Sequence, residues 1–184
     1  MIIQNENLAI RPLEQKDSFL LAKWLSNPVV LEFYEGRDNA FNIDKVNEKF
    51  YNREEGTVRC IVEYDNAPIG YIQYYEIASD ERELYGYANV HDVIYGMDQF
   101  IGEVDFWNKG IGTLLVKTLV DFLIERKQAD RVVMDPQTWN ERAIHCYEKC
   151  GFKKVKLLPG NELHEGEYRD CWLIEYPNLL KNVR

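Results

Sequence analysis

One aspartate and one pair of glycines lie close together in the stretch 93–126. The aspartate suits proton transfer, and the glycines suit the binding of an anion. Asp98 lies in an apolar and aromatic run that closes with Phe100 and Ile101, a pattern that predicts a buried strand. A carboxylate at the end of such a strand can bind an ammonium group and then accept its proton, directly or through one water. Because an unpaired charge in a buried strand is costly, a structural ion pair is the alternative role for Asp98.

The glycines, Gly110 and Gly112, open a long helical pattern directly after this strand. The first amides of a helix are free to bind an anion, and the helix dipole adds partial positive charge there. Glycine also lets the backbone approach a bulky phosphate closely. The spacing is neither that of a Walker loop nor G-x-G-x-x-G, and an ordinary strand-to-helix turn is the alternative. The stretch alone leaves both interpretations open.

Length and charge limit the class of protein. With 184 residues we expect a single domain, 1–184, long enough to bury about two-thirds of its unfolded surface. A hydrophobic fraction of 46% is typical of a globular chain. The net charge of -9 argues against nucleic acid as a partner and favours a cationic small molecule, although an acidic surface alone is also common.

The four cysteines form no C-x-x-C pair, and with only three histidines they predict no metal site. The first residues lack the basic start and apolar core of a signal peptide, and no apolar run approaches the roughly 20 residues that cross a membrane. We therefore expect a cytoplasmic protein that binds neither membrane nor metal. The sequence leaves open whether it is a monomer or a homodimer.

The elements that must position these residues follow in the order strand, helix, helix, three strands, helix, strand, helix, two strands. Helices are predicted at 19–25, 42–52, 110–126 and 140–149. The polar, tyrosine-rich segment 76–92 and the acidic segment 160–169 are predicted to be loops. This order predicts an α/β fold with a mixed, mostly antiparallel sheet and helices on both faces. The predicted strands are 8–13, 57–64, 69–75, 93–101, 131–135, 152–158 and 170–176.

Two segments resemble the GCN5-related N-acetyltransferases (GNAT). The loop 107–112 resembles that family's diphosphate-binding pattern, Gln/Arg-x-x-Gly-x-Gly/Ala, with Trp107 as a departure at the first position. The segment 140–152 resembles the family's N-x-x-A-x-x-x-Y-x-K-x-G-F. The resemblance implies the GNAT fold, with a sheet of about six to seven strands, and acetyl-CoA as cosubstrate. The residues that it assigns to acetyl-CoA are Gln99, Phe100, Ile101, Trp107, Asn108, Lys109, Gly110, Ile111, Gly112, Thr113, Asn140 and Tyr147.

Within this family the sequence is similar to the aminoglycoside 6′-N-acetyltransferases. The similar segments are 31–37, 95–102, 107–113, 134–136 and 163–166. This resemblance implies transfer of an acetyl group to the 6′-amine of kanamycin- or tobramycin-type antibiotics within a ternary complex, and so antibiotic resistance. It leaves the exact range of antibiotics open.

The resemblance also implies roles for single residues. Asp98 would be the catalytic base, and the hydroxyl of Tyr147 would protonate the leaving thiolate, with a core tyrosine on an apolar helix face as its alternative role. A backbone N–H within 99–101 would stabilise the developing oxyanion. Asp135 would hold a substrate amine, with helix capping as its alternative role.

Acidic and aromatic side chains in three loops are expected to line the mouth of the acceptor site, because the acceptor is a polycation. Scattered loop acids are more often solvated surface, and Glu167 and Asp170 cannot be told apart from sequence. The acids Glu162 and Glu165 belong to the same group of candidates. The predicted substrate-binding residues are Glu32, Tyr34, Glu35, Asp98, Asp135, Glu167 and Asp170.

Two other classes of function stay open. One is acetylation of a different amine or hydroxylamine, such as a siderophore precursor or a peptide N-terminus; a neutral hydroxylamine does not require so many acids. The other is a non-catalytic acyl-CoA-binding sensor, which would need the phosphate loop but not Asp98.

Overall fold

The centre of the molecule is one eight-stranded sheet, seen in a computed structural model that describes residues 3–52 and 56–178. The strand order is β1-β2-β3-β4-β5-β6-β8-β7. All neighbouring strands are antiparallel except β5 and β6, which are parallel. The strands are β1 (Ile3–Asn5), β2 (Leu8–Pro12), β3 (Val58–Tyr64), β4 (Ala67–Glu76), β5 (Ile94–Ile101), β6 (Arg131–Met134), β7 (Lys153–His164) and β8 (Glu167–Pro177).

The helices cover both faces of this sheet, as predicted. On one face α5 buries Leu115, Leu119 and Leu123 against the sheet. On the other face α1, α2 and α3 form a second core around Trp24 and Tyr71. No helix in the described part of the chain is both long and apolar enough to cross a membrane. The helices are α1 (Ser18–Trp24), α2 (Pro28–Leu31), α3 (Ile43–Val46), α4 (Ser79–Tyr85), α5 (Ile111–Arg126) and α6 (Glu141–Lys149).

The mixed, mostly antiparallel sheet is confirmed, but it has eight strands rather than six to seven. The additional strand is β1, which has three residues and no apolar alternation. The seven predicted strands are all present. Strand β3 shows why these strands can be recognised in the sequence. Its consecutive apolar residues are buried on both faces: Cys60 and Val62 face the α5 core, whereas Ile61 faces the other core.

Two segments predicted as loops are structured, so these predictions were wrong. The segment 76–92 contains α4, in which Glu81 accepts a hydrogen bond from the N–H of Ala78 and Gly86 ends the helix at φ +88°. The segment 160–169 continues β7 and β8 into a long hairpin, which turns at Glu165 and Gly166 with φ +51° and +79°.

Strands β5 and β6 separate part of the way along their length. Strand β5 pairs with β4 as far as Ile101, but with β6 only from Ile94 to Gly96. Beyond Gly96 the side of β5 that faces β6 has no strand partner. The backbone groups on that side therefore face open space where the two strands diverge.

Candidate active site

Two clefts meet where β5 and β6 separate. The first, here called the cofactor cleft, has a volume of about 480 Å³ and runs between β5, the loop before α5, and α6. The second, the acceptor cleft, has a volume of about 610 Å³ and lies beside Asp98 and Asp135. Both clefts are lined by Phe33, Tyr34, Gln99, Asn140 and Tyr147.

The loop before α5 has the geometry of an anion site. Gly110 is the N-cap of α5 at φ +78°, and no side chain caps the helix there. A Cβ added at Gly110 would meet nothing within 4 Å, and one at Gly112 would meet only Cys146 Sγ at 3.6 Å. The first-turn amides of α5 are therefore uncapped and border open space, which fits a phosphate group.

Ten of the twelve predicted acetyl-CoA residues line the cofactor cleft. Lys109 and Ile111 do not: Nζ of Lys109 lies 5.6 Å from the centroid of the Phe106 ring, and Ile111 is only 5% exposed in the core below α5. Lys109 is an exposed residue, and Phe106, on which its ammonium group lies, lines the cleft. The ten are Gln99, Phe100, Ile101, Trp107, Asn108, Gly110, Gly112, Thr113, Asn140 and Tyr147.

The tryptophan that departs from the family pattern is fixed by a hydrogen bond. Trp107 Nε1 donates to the carbonyl oxygen of Ile101 at 2.8 Å. Asn140, at the start of α6, accepts a hydrogen bond from the N–H of Ala143 at 3.3 Å and so caps that helix. Both residues therefore have structural contacts in addition to bordering the cleft.

Asp98 lies in the acceptor cleft, and β4 holds its carboxylate. Gln73, its partner across the β4–β5 ladder, donates from Nε2 to Asp98 Oδ2 at 2.8 Å. Tyr71 in turn donates to Gln73 Oε1 at 2.7 Å. Burial raises the pKa of Asp98 to about 6, although the hydrogen bond from Gln73 lowers it. The group is thus mostly ionised at neutral pH and can accept a proton.

Tyr147 stands at the junction of the two clefts. Its hydroxyl oxygen accepts a hydrogen bond from Gln99 Nε2 at 2.8 Å, which leaves its own proton free to point elsewhere. Burial raises the pKa of Tyr147 above its usual value. Among the described residues, no donor reaches the buried Gln99 Oε1.

Asp135 is held by two residues that the sequence did not single out. Tyr85, from α4, donates to its Oδ2 at 3.0 Å, and Asn161, from β7, donates to the same oxygen at 2.9 Å. Tyr85 was missed because it lies in the segment predicted as a loop. The sequence feature that could have identified Tyr85 as a site residue is its position in a tyrosine-rich stretch, 71–95.

The predicted substrate-binding residues divide into two groups. Tyr34, Glu35, Asp98 and Asp135 line the acceptor cleft, together with Glu162. Glu32, Glu167 and Asp170 do not line it. Glu167 instead pairs with Arg169 at 2.9 Å, and Asp170 accepts the N–H of Gly160 at 2.8 Å, because both lie on the hairpin rather than in a loop over the site. The geometry does not support these three as substrate ligands.

Glu165, another candidate, joins two segments beside the acceptor cleft. Arg37 donates from Nη2 to Glu165 Oε2 at 2.7 Å, and its backbone N–H donates to Oε1 at 3.0 Å. These hydrogen bonds lower the pKa of Glu165 to about 2. The carboxylate is committed to Arg37.

The sequence and the fold together identify the class. Residues 14–159 match the family model described as an acetyltransferase (GNAT) domain. The chain therefore belongs to the GNAT family of acetyltransferases, with acetyl-CoA as the acetyl donor. The described residues contain no group of three or more His, Cys, Asp or Glu side chains arranged to hold a metal ion.

Particular relatives are similar over most of the chain. The aminoglycoside N(6′)-acetyltransferase type 1 of Klebsiella pneumoniae is 28% identical over 153 residues, which cover 82% of this chain and 76% of that protein. A structure of the acetyltransferase AAC(6′)-Ib with ribostamycin and coenzyme A has a TM-score of 0.77 at 23% identity, covering 97% of this chain and 98% of that one. A spermidine N-acetyltransferase from Vibrio cholerae, with CoA and spermine, has a TM-score of 0.76 at 19% identity, covering 94% and 96%. These two structural matches establish the fold.

Proposed function

We propose that this acetyltransferase transfers the acetyl group of acetyl-CoA to the 6′-amine of an aminoglycoside of the kanamycin or tobramycin type, within a ternary complex. The observation that carries the proposal is the position of Asp98. Its carboxylate lines the acceptor cleft directly beside Gln99 and Tyr147, where that cleft meets the cofactor cleft. The similarity to the Klebsiella pneumoniae enzyme over most of the chain supports the choice of acceptor.

Asp98 would accept the proton that activates the acceptor. An amine attacks a thioester only as the free base, yet an aminoglycoside arrives as a polycation. The ionised Asp98 carboxylate binds the ammonium group and then takes its proton, directly or through one water. A pKa of about 6 keeps Asp98 ionised at neutral pH and makes it a stronger base than an ordinary aspartate.

Acetyl transfer would occur beside the side of β5 that has no strand partner beyond Gly96. The amine nitrogen bonds to the thioester carbonyl carbon, and the carbon–sulfur bond breaks with its electron pair going to sulfur. The nitrogen then gives up its second proton, which goes to the departing sulfur directly or by way of the Tyr147 hydroxyl, so the products are the amide and the thiol of CoA. Backbone N–H groups within 99–101 are the donors that would stabilise charge on the carbonyl oxygen. The Tyr147 hydroxyl would donate a hydrogen bond to the departing sulfur. Because burial raises the pKa of Tyr147, its hydroxyl is protonated at neutral pH and can act as this donor.

The acceptor cleft suits a polycation. Four carboxylates line it, from Glu35, Asp98, Asp135 and Glu162, and they outnumber its two cations among the described residues, Lys49, which pairs with Glu35, and Arg59. Burial raises the pKa of Glu162. Asp135, which Tyr85 and Asn161 hold in place, would bind a second amine of the sugar. Glu32, Glu167 and Asp170 have no part in this proposal.

A polyamine is the second candidate acceptor. The spermidine N-acetyltransferase of Vibrio cholerae has a similar fold, and an acidic cleft binds a linear polyamine by the same charge attraction. The two acceptors differ in shape: an aminoglycoside offers rings and hydroxyl groups, whereas spermidine offers only methylene chains between its amines.

The test measures release of CoA from acetyl-CoA with separate acceptors. Kanamycin, tobramycin, spermidine, a peptide with a free N-terminus and N-hydroxylysine are supplied in parallel, and the kanamycin product is analysed by NMR. We expect turnover with the aminoglycosides and an acetyl group on the 6′-nitrogen. Faster turnover with spermidine or the peptide would replace the proposed acceptor. CoA binding without turnover on any acceptor would indicate a sensor.

A further inference from the structure

The guanidinium group of Arg142 is held in a corner between two aromatic rings. Its central carbon lies 4.1 Å from the ring centroid of Phe33 and 4.1 Å from that of Trp107. The two rings are 5.8 Å apart and nearly perpendicular, at 83°. We call this pair the aromatic corner. It brings together the segment after α2, the loop before α5 and the first turn of α6, so Arg142 is fixed where these three elements meet.

Arg142 has a charge that the described residues do not neutralise by contact. It lines the cofactor cleft, and no ion pair or side-chain hydrogen bond joins it to any residue within 3–52 and 56–178. Burial lowers its pKa, whereas the charge of Glu32 raises it. A guanidinium carries five N–H donors, and because Arg142 is an exposed residue, an incoming ligand can reach them. An anion arriving in the cleft would supply the missing acceptors.

The charge pattern of the two clefts supports an anion here. The protein has a net charge of -9. Among the described residues that line the cofactor cleft there is no aspartate or glutamate, and the cations are Arg142 and Lys149. The acceptor cleft also has two cations, Lys49 and Arg59, but four carboxylates accompany them. Acetyl-CoA is a polyanion, so an acidic protein needs local cations to hold it.

We propose that Arg142 binds a phosphate group of acetyl-CoA, and that Phe33 and Trp107 hold its guanidinium in position for this contact. The inference rests on the use of acetyl-CoA in the proposed function. Arg142 lies at one of the variable positions of the resemblance motif, so the family pattern does not assign it this role. Arginine suits the site better than lysine, because a flat guanidinium packs on aromatic faces while its edge donates to phosphate oxygens.

The test is a set of dissociation constants measured by calorimetry for coenzyme A, 3′-dephospho-CoA and pantetheine. Arg142→Met should weaken binding of coenzyme A by about tenfold to a hundredfold, as expected for loss of a hydrogen bond to a charged group, and leave pantetheine unchanged. If Arg142 contacts the 3′-phosphate, Arg142→Met should leave the affinity for dephospho-CoA unchanged. If Arg142 contacts the diphosphate, Arg142→Met should weaken dephospho-CoA binding as much as coenzyme A binding. The matched control, Arg126→Met, removes an exposed arginine at the end of α5 and should change nothing.

Two further variants separate charge from position. Arg142→Lys keeps the charge but not the flat group, and we expect it to restore only part of the affinity. Phe33→Leu removes one wall of the aromatic corner and should weaken coenzyme A binding by about twofold to fivefold, with pantetheine again unchanged. Thermal unfolding checks that each variant is folded.

The inference is overturned if folded Arg142→Met binds coenzyme A within twofold of the wild type, or if pantetheine binding falls equally. The wild-type acceptor assay is scored separately. A wild-type protein that binds coenzyme A through Arg142 but does not acetylate kanamycin would refute the proposed acceptor and leave the role of Arg142 standing.

Discussion

Gln73 and Asp98 face each other across β4 and β5, and the amide nitrogen of Gln73 donates a 2.8 Å hydrogen bond to the Asp98 carboxylate. Burial raises the pKa of Asp98, and this hydrogen bond lowers it. Burial prevails, and the resulting pKa of about 6 is suited to proton transfer near neutrality. Burial therefore sets the basicity of the proposed catalytic group, and a residue on the neighbouring strand lowers it.

Asp98→Asn should abolish most acetyl transfer and yet stabilise the ligand-free protein at pH 8. The folded-state pKa of about 6 lies above the usual 3.8, so the ionised carboxylate opposes folding. This cost is complete above pH 6 and fades as the pH falls toward 3.8. We expect turnover to drop about 10²–10⁴-fold. We expect a gain of about 1–3 kcal/mol in the free energy of unfolding at pH 8, allowing for partial exposure, and little gain at pH 4.

Urea unfolding at the two pH values measures this effect, and Asp65→Asn in an exposed hairpin turn is the control. Coenzyme A binding should survive in Asp98→Asn. Full turnover in the variant would remove Asp98 from the mechanism.

Gln73→Leu should shift the pH dependence of the reaction. In the wild type, kcat/KM should fall about tenfold per pH unit below about pH 6, because protonated Asp98 cannot accept a proton. Loss of the Gln73 hydrogen bond raises the pKa of Asp98 further, so the acid side of the profile moves to higher pH. The profile is measured with saturating acetyl-CoA, and Gln4→Leu on the exposed strand β1 is the control. An unshifted profile would show that Gln73 does not tune Asp98.

Tyr147→Phe should slow turnover by roughly tenfold to a hundredfold without abolishing it. A CoA thiolate is a tolerable leaving group, and the variant loses only the hydrogen bond to sulfur. Steady-state kinetics with acetyl-CoA and kanamycin measure the loss, and Tyr168→Phe, at a tyrosine that is 73% exposed, is the control. A folded variant with no detectable activity, or with unchanged activity, contradicts the prediction.

Asp17→Asn should destabilise the fold far from the site. Arg11 donates to both oxygens of Asp17 at 2.7 and 2.8 Å, and Asp17 is 1% exposed. Burial raises the pKa of Asp17, but the hydrogen bonds from Arg11 and from the N–H of Glu14 outweigh it and lower the pKa below 3.8. The pair therefore stabilises the fold above pH 3.8, and its contribution is lost as the pH falls through the lowered pKa.

We expect Asp17→Asn to cost about 1–3 kcal/mol in urea unfolding at pH 7, because Arg11 and the N–H of Glu14 lose a buried charged acceptor while Arg11 keeps its ion pair with Glu63. Asp65→Asn serves again as the exposed control. A loss below about 1 kcal/mol, the range of a surface pair, would contradict this assignment.

The strands and the glycine-containing loop before α5 were predictable because short-range patterns define them. Cys60, Ile61 and Val62 are apolar in succession, which is typical of a strand buried on both faces. Gly110 and Gly112 open α5 where the sequence placed them. Helix α4 was missed because Tyr85 is its only fully buried side chain, so it shows no apolar stripe.

The acceptor residues were harder to predict because they depend on the register of a hairpin. The turn at Glu165 and Gly166 pairs Glu162 with Arg169 and decides which side chains face the cleft. Without the position of that turn, Glu162 and Glu167 look equivalent in sequence. The aromatic corner around Arg142 was equally hidden, since its members lie in three distant segments.

The divergence of β5 from β6 also bears on how the protein tolerates mutation. Any molecule that fills the gap binds the folded chain alone, so it adds RT ln(1 + [L]/Kd) to the free energy of unfolding, about 2.7 kcal/mol when present at a hundred times its Kd. A variant that unfolds without this ligand can therefore stay folded at saturating ligand, so unfolding measured on the ligand-free protein understates which substitutions the bound protein tolerates.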